Sequence, residues 1–265
     1  MGVGLSELTK AEFFGIPGAK HIYIATPAHT IHSNFHVSLI RSIPLLMRAG
    51  VTVTYAHLSG HPHVDDARNL LVADFLKSTA TDLLFIDADV ASAPGAALRL
   101  LSFDVDIVGG AYPLKDNSGK FPVRLTGYDD QAQPELLEAV MMPTGFLRIR
   151  RNVFETLLAF EFESMERIPV VRMDGTEAAL FFGRDYLVAE GSTPHDITFE
   201  RIGGDANFCR RAREAGFKVW CDPSLMFTHQ GPVNFTGRLS DEMKREREHR
   251  VFMEENTVEI VDAAE

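Results

Sequence analysis

The chain has 265 residues, 45% hydrophobic and 24% charged, a length and balance that suit one large α/β domain or two small ones. Its formal net charge of -11 argues against broad electrostatic binding of nucleic acid or anionic membranes, while leaving room for a local basic groove. No apolar run approaches the roughly 18 to 20 residues of a membrane span, Met1 to Lys20 lacks the pattern of a secretion signal, and the two cysteines, Cys209 and Cys221, imply no disulfide framework and fit a reducing, cytoplasmic compartment.

After a polar lead, His21 to Thr26 reads as a buried strand stopped by Pro27. A helix is expected over Asn34 to Arg48, with Phe35, Leu39, Ile43, Leu46 and Met47 at helical spacing, Ser33 as its cap and Gly50 as its end. Pro44 inside it predicts a kink or an early stop. Val51 to His57 alternates as a second strand, and Asp65 to Lys77 as a second helix with Leu70, Leu71, Phe75 and Leu76 inward. Arg68 falls in its first turn, outside the apolar stripe, where it either approaches a phosphate or pairs with Asp65 or Asp66 at the surface. His29, His32 and His36, and the His61-Pro-His63 run, have no acid or cysteine at ligand spacing and read as surface or supporting histidines.

Asp82 to Val90 is the centre of the chain. Leu83 to Ile86 form a continuous apolar run, the mark of a strand buried on both faces, and two acids, Asp87 and Asp89, follow where that strand gives way to a loop. In open α/β sheets ligands gather at this end of the strands. Two acids so close repel unless a cation lies between them, and Mg²⁺ or Mn²⁺ shared with a substrate diphosphate is the usual answer; a turn carrying solvated acids is the plainer alternative. A short helix through Leu101 and a strand over Asp106 to Gly110 come next, the paired glycines permitting close backbone approach to a ligand.

Asp116 to Glu135 reads as an irregular excursion, Met141 to Arg151 as a turn and strand, and Asn152 to Phe160 as a helix. Glu161 to Glu200 has no steady period and reads as loops lining a site. Gly203-Gly204-Asp205 precedes a helix over Ala206 to Gly216, so Asp205 is either its cap or a carboxylate at a reacting centre. Phe217 to Cys221 is a strand and Leu225 to His229 an extended segment. Ser240 to Glu255 is a charged helix with a solvated face, and Val258 to Glu265 an acidic tail.

Together these motifs resemble the GT-A glycosyltransferases, near the family-2-like enzymes of bacteria, phages and large viruses. The residues that carry the resemblance are the Thr-Pro loop after the first strand, Ala67-Arg-Asn69, Leu-Leu-Phe-Ile-Asp-Ala-Asp, Gly109-Gly-Ala-Tyr-Pro-Leu-Lys115, Pro143-Thr-Gly-Phe146, Gly204-Asp205 and His229-Gln-Gly. It implies a single α/β domain with a mostly parallel sheet flanked by helices, over residues 1–239, divided into a nucleotide-sugar half at about 20–115 and an acceptor half at about 116–239, with 240–265 as an appendage.

The resemblance further implies a UDP- or GDP-sugar donor and Mn²⁺ or Mg²⁺. Asp87, Asp89 and His229 would form the metal site, Asp89 and His229 as ligands and Asp87 through the donor ribose or a metal-bound water. Thr26, Pro27 and Arg68 would flank the nucleotide, and Gly110, Lys115, Thr144 and Gly145 would complete the donor site. Asp205 would be the base toward a hydroxyl acceptor in an inverting transfer. An acid pair heads this helix in the family, and here Gly204 replaces the first acid, which leaves the base and the stereochemical outcome open; Asp185 and Glu190 are the weaker substitutes.

The acceptor is a glycan, a protein side chain, a lipid or a hydroxylated base in phage-type DNA. Arg148, Arg150 and Arg151, with the basic positions of Lys244 to Arg250, would serve as a track for a phosphate-bearing acceptor. The competing readings are a haloacid-dehalogenase-type phosphatase, which also uses Asp-x-Asp after an apolar strand, and a non-catalytic carbohydrate-binding module. Nucleotidyltransferases are disfavoured because their glycine-rich, arginine-containing N-terminal loop is missing.

Overall fold

The computed structural model describes residues 20–116, 118–127, 135–162, 167–189, 191–193 and 196–262. The first part of the chain alternates strand and helix: β1 (His21–Ala28), α1 (Ser33–Arg48), β2 (Thr52–Ser59), α2 (Val64–Lys77), β3 (Asp82–Ile86), β4 (Val90–Ser92), α3 (Ala96–Ser102) and β5 (Ile107–Gly109). Then follow β6 (Arg124–Leu125), β7 (Leu137–Met141), β8 (Phe146–Arg150), α4 (Arg151–Ala159), β9 (Val170–Met173), β10 (Thr176–Ala179), β11 (Asp185–Val188) and β12 (Phe199–Ile202). The chain continues with α5 (Gly204–Glu214), β13 (Val219–Cys221), β14 (Met226–Gln230), β15 (Asn234–Arg238) and α6 (Leu239–Asp262).

Eight strands form one sheet in the order β2-β1-β3-β8-β5-β13-β7-β6, with only β8 and β7 running against the other six. This is the expected α/β class with a mostly parallel sheet. The continuous apolar run of β3 is explained by its place inside that sheet. Leu83 and Phe85 join a core on one face with residues of α2, α4 and α5, while Leu84 and Ile86 join the opposite core with residues of α1 and α3. A strand wet on one side would have needed polar residues at every second position.

The two prolines act differently from expectation. β1 continues through Pro27 to Ala28, because its pairing with β3 ends at Ala25 and the missing N–H falls where only β2 remains as neighbour. α1 likewise runs through Pro44 to Arg48. The carbonyl that Pro44 leaves without its helical N–H partner belongs to Ile40, a residue 56% exposed on the outer face of the helix. The cap position is His32 rather than Ser33, and its backbone N–H donates to Ala88 O at 3.0 Å, tying the start of α1 to the acidic loop.

The stretch expected as loops instead holds two hairpins, β9–β10 and β11–β12. Asp174 and Gly175, with φ of 47° and 80°, make the left-handed turn that connects the first. Two further strands, β4 and β15, flank β14 in a separate three-stranded sheet.

The three arginines of the expected basic track are engaged within the protein itself. Arg148 is sealed in the core, where its guanidinium donates to the carbonyls of Val105 (2.6 Å), Phe103 (2.9 Å) and Leu100 (3.1 Å) and faces Asp82 at 3.4 Å. Arg151 donates to four carbonyls at and beyond the end of α2, those of Phe75, Leu76, Ser78 and Ala80. Arg150 pairs with Asp104 at 2.6 Å. These arginines satisfy backbone oxygens and acids that would otherwise lie unpaired.

Gly110 packs under a side chain of the protein itself: a Cβ there would come within 2.5 Å of the Phe227 ring. Gly110→Ala is therefore expected to destabilise the protein by about 1–3 kcal/mol through overpacking. In urea titrations, combining it with Phe227→Leu should return part of that loss.

Candidate active site

Five segments meet beyond the carboxyl end of β3: the Asp87–Asp89 loop, the first turn of α2, the segment from Tyr112 to Lys115, the Thr144–Gly145 turn between β7 and β8, and the start of α5. Their centre is Arg68. The face of α2 that packs on the sheet carries Ala67, Leu71, Val72 and Phe75, and Arg68 lies beside Ala67, 5% exposed, rather than on the surface. Its Nη1 donates to Asp205 Oδ1 at 2.6 Å, and its Nη2 reaches both carboxylate oxygens of Asp87 at 3.2 Å.

The backbone finishes this cluster. Thr144 N donates to Asp205 Oδ2 at 3.2 Å, Asp87 N to Gly145 O at 3.0 Å, and Gly145 N to the Tyr112 hydroxyl at 3.3 Å. Gly145 has no room for a side chain, since a Cβ would lie 2.6 Å from Asp87 Oδ2. Asp205 does not cap α5. Gly203 holds the cap position, and Asp205 projects from the first turn toward Arg68.

Charge follows geometry. Burial works to lower the proton affinity of Arg68, but Asp205 and Asp87 outweigh it and hold the guanidinium charged. Burial pushes the Asp87 carboxyl up; Arg68 opposes the rise, and Asp205 and Asp89 add to it. The Tyr112 hydroxyl is driven well above its ordinary value, first by burial and then by the two carboxylates, Asp87 and Asp205.

Asp89 faces a different set of partners. Strand pairing sets His229 of β14 opposite Val90 of β4, and Gln230 N donates to Asp89 O at 2.8 Å. His229 Nε2 consequently lies 3.6 Å from Asp89 Oδ1, while Lys115 Nζ bonds the other carboxylate oxygen. His229 Nδ1 is 2.8 Å from Pro113 O. A carbonyl oxygen only accepts, so that nitrogen carries a proton and, in the neutral ring, Nε2 presents its lone pair toward Asp89. Burial raises the Asp89 carboxyl, but hydrogen bonds and positive charge from the protonated form of His229 and from Lys115 more than offset it and hold it at about 2.

A cavity of about 280 Å³ opens beside these acids, lined by Pro27, His29, His32, Asp87 and Asp89 among others. A neighbouring one shares Pro27 and His29 and is bounded by His61, His63 and Arg184. Thr26 is fully buried. Of the expected site residues, Arg68, Asp87, Thr144, Gly145 and Asp205 form one cluster, and Asp89, Lys115 and His229 a second beside it. Gly110 lies in the core, Asp185 pairs with Arg210 at 3.0 Å, and Glu190 falls outside the described residues. Tyr112 and Pro113 were not singled out as site residues in the sequence, although both stand inside the Gly109 to Lys115 motif.

Among the described residues no three His, Cys, Asp or Glu side chains converge as a complete metal cage. The available donors are one carboxylate and one oriented imidazole, a set that suits a divalent cation completed by water and substrate oxygens.

No protein-family model matches the sequence, and no curated protein matches it significantly. Among solved structures, the chain is similar to A197 from STIV, with 16% identity and a TM-score of 0.45 over 80% of this chain and 86% of that one. It is also similar to GalNAc-T7, crystallised with UDP, GalNAc and Mn²⁺ (12% identity, TM-score 0.45, 82% of this chain and 46% of that one). A third is glucosyl-3-phosphoglycerate synthase from Mycobacterium tuberculosis, in complex with Mn²⁺ and UDP-glucose (14% identity, TM-score 0.30, 59% and 64%). The chain thus spans less than two thirds of the second and third of these.

Removing Arg68 leaves Asp87 and Asp205, both partly buried, without their counter-charge. Because water reaches both acids, Arg68→Met is expected to cost about 1–3 kcal/mol at neutral pH, less than for a fully buried pair. Chemical denaturation of Arg68→Met combined with Asp87→Asn should show a smaller loss than the single variant.

Proposed function

We propose that the protein is a metal-dependent glycosyltransferase of the GT-A type, which moves a sugar from a nucleoside-diphosphate sugar to a hydroxyl acceptor with Asp205 as general base and inversion at the sugar carbon. The observation that carries this reading is the facing pair of Asp89 and His229. With Nδ1 held by the Pro113 carbonyl, His229 turns Nε2 toward Asp89 Oδ1 3.6 Å away, so a carboxylate and an imidazole nitrogen face one another where a divalent cation can take the place of the ring proton. One carboxylate and one imidazole are too few to enclose Mg²⁺ or Mn²⁺, which fits a cation that takes its remaining ligands from a diphosphate and water.

Asp89 and His229 are the residues that would hold the metal. When bound there, a divalent cation neutralises charge on the departing nucleoside diphosphate. Lys115 adds a point charge at the same place. Pro27, His29 and His32 line a cavity that suits the nucleoside, beside Asp87. On the other side, Arg68 and the Thr144 amide fix both oxygens of Asp205, whose side chain is 30% exposed, so an acceptor hydroxyl can reach an oriented carboxylate.

The phosphatase alternative would need Asp87 as an open nucleophile, and Arg68 engages both of its oxygens. A glycan acceptor is favoured over a polyanion, because Arg148 and Arg151 are spent on backbone carbonyls.

Isothermal titration with UDP and GDP, each with Mn²⁺, Mg²⁺ or EDTA, tests the donor site. One nucleotide is expected to bind only with metal, and Asp89→Ala and His229→Ala should each weaken that binding by at least about tenfold, the loss of a single charged contact or more. Metal-independent binding, or unchanged binding in both variants, would remove the reading.

A further inference from the structure

Gly204 opens α5 immediately before Asp205, and the space beside its Cα is taken. A Cβ built there would lie 2.8 Å from Asp65 Cγ and 3.3 Å from Asp65 Oδ2, with Oδ1 nearer still. Asp65 comes from the first turn of α2, three residues before Arg68. Its side chain is 17% exposed, and Arg184 Nε approaches it at 3.7 Å from the solvent side.

We propose that Asp65 is the second carboxylate of the acceptor side: it occupies the volume a side chain at position 204 would fill, and it positions the incoming hydroxyl for Asp205. This rests on the transferase reading above. Both oxygens of Asp205 are already engaged by Arg68 and Thr144 N, so orientation of a hydroxyl there calls for a second acceptor group alongside. Asp65 is placed to supply it, while Arg68 and Arg184 keep the local charge in balance.

Stability alone accounts poorly for the placement. A carboxylate in a first helical turn favours the positive end of the helix dipole, but Asp66 in the same turn does that already. Asp65 is instead half-buried toward a second acid. Burial pushes its carboxyl up, Arg68 opposes the rise and Asp205 adds to it, so the carboxyl lies above its ordinary range. A half-buried acid set against a like-charged neighbour marks a functional position more than a structural one.

The test exchanges the two positions. First, thermal unfolding of Gly204→Ala is compared in the wild-type and Asp65→Gly backgrounds. The alanine should lower the melting temperature in the first and leave it nearly unchanged in the second; equal losses in both would overturn the packing claim. Second, release of UDP from UDP-glucose or UDP-N-acetylgalactosamine to water with Mn²⁺ is followed for Asp65→Asn and for the Asp65→Gly/Gly204→Asp exchange. Asp65→Asn is expected to lower kcat at least tenfold with the donor KM unchanged, and the exchange to recover part of kcat. Wild-type turnover in Asp65→Asn, or a loss confined to KM, would overturn the positioning role. Absence of metal-dependent nucleotide binding by the wild type would overturn the transferase reading and this role with it, and the unfolding comparison would still decide where Asp65 sits.

Discussion

One buried cation holds the site together. Arg68 comes from α2, Asp87 from the loop after β3 and Asp205 from the first turn of α5, and no backbone pairing joins these segments where the three side chains meet. The guanidinium is almost sealed, so each interaction is stronger than at the surface, and each is more costly to break. Replacing all three charged groups together by hydrophobic residues of similar volume would serve the fold as well or better, whereas removing one alone strands the others, which points to the cluster being kept for what its charges do rather than for stability.

The two acids of Asp-Ala-Asp divide their labour across this frame. They sit one residue apart and face different partners: Asp87 meets Arg68 and the turn that presents Gly145, whereas Asp89 meets Lys115 and His229. The motif is therefore a partition. One carboxylate belongs to the arginine cluster that also orients Asp205, and the other to the group formed by Lys115 and His229. Ala88 between them is pinned through the His32 amide, which fixes the loop from the side of α1.

What could be read in the sequence follows from which interactions are local. The β3 strand was legible because burial on both faces leaves a run of four apolar residues, and the α/β order because hydrophobic period changes from element to element. Arg68 was misplaced because any count of apolar spacing scores arginine as outward, and it is Asp87 and Asp205, both outside its helix, that make its burial tolerable. The Val170 to Thr176 hairpin did carry a local signal, Asp174-Gly175 after a β-rich run, which the irregular surroundings obscured. The closeness of His229 to Asp89 had no local signal at all, since it depends on the register of β14 against β4. Asp65 beside Gly204 was equally hidden: no local pattern links the first turn of α2 to the head of α5, and only the packing of the two helices shows the carboxylate against the glycine.

The pairing of β4 with β14 also orders events during synthesis. When a ribosome has made β3 and its loop, Asp87 and Asp89 are two like charges at the end of an apolar strand, and Lys115 and Asp205 have yet to emerge. The histidine comes later still. All eight strands of the main sheet have been synthesised before β14, and until that strand pairs with β4, Asp89 has no histidine opposite it.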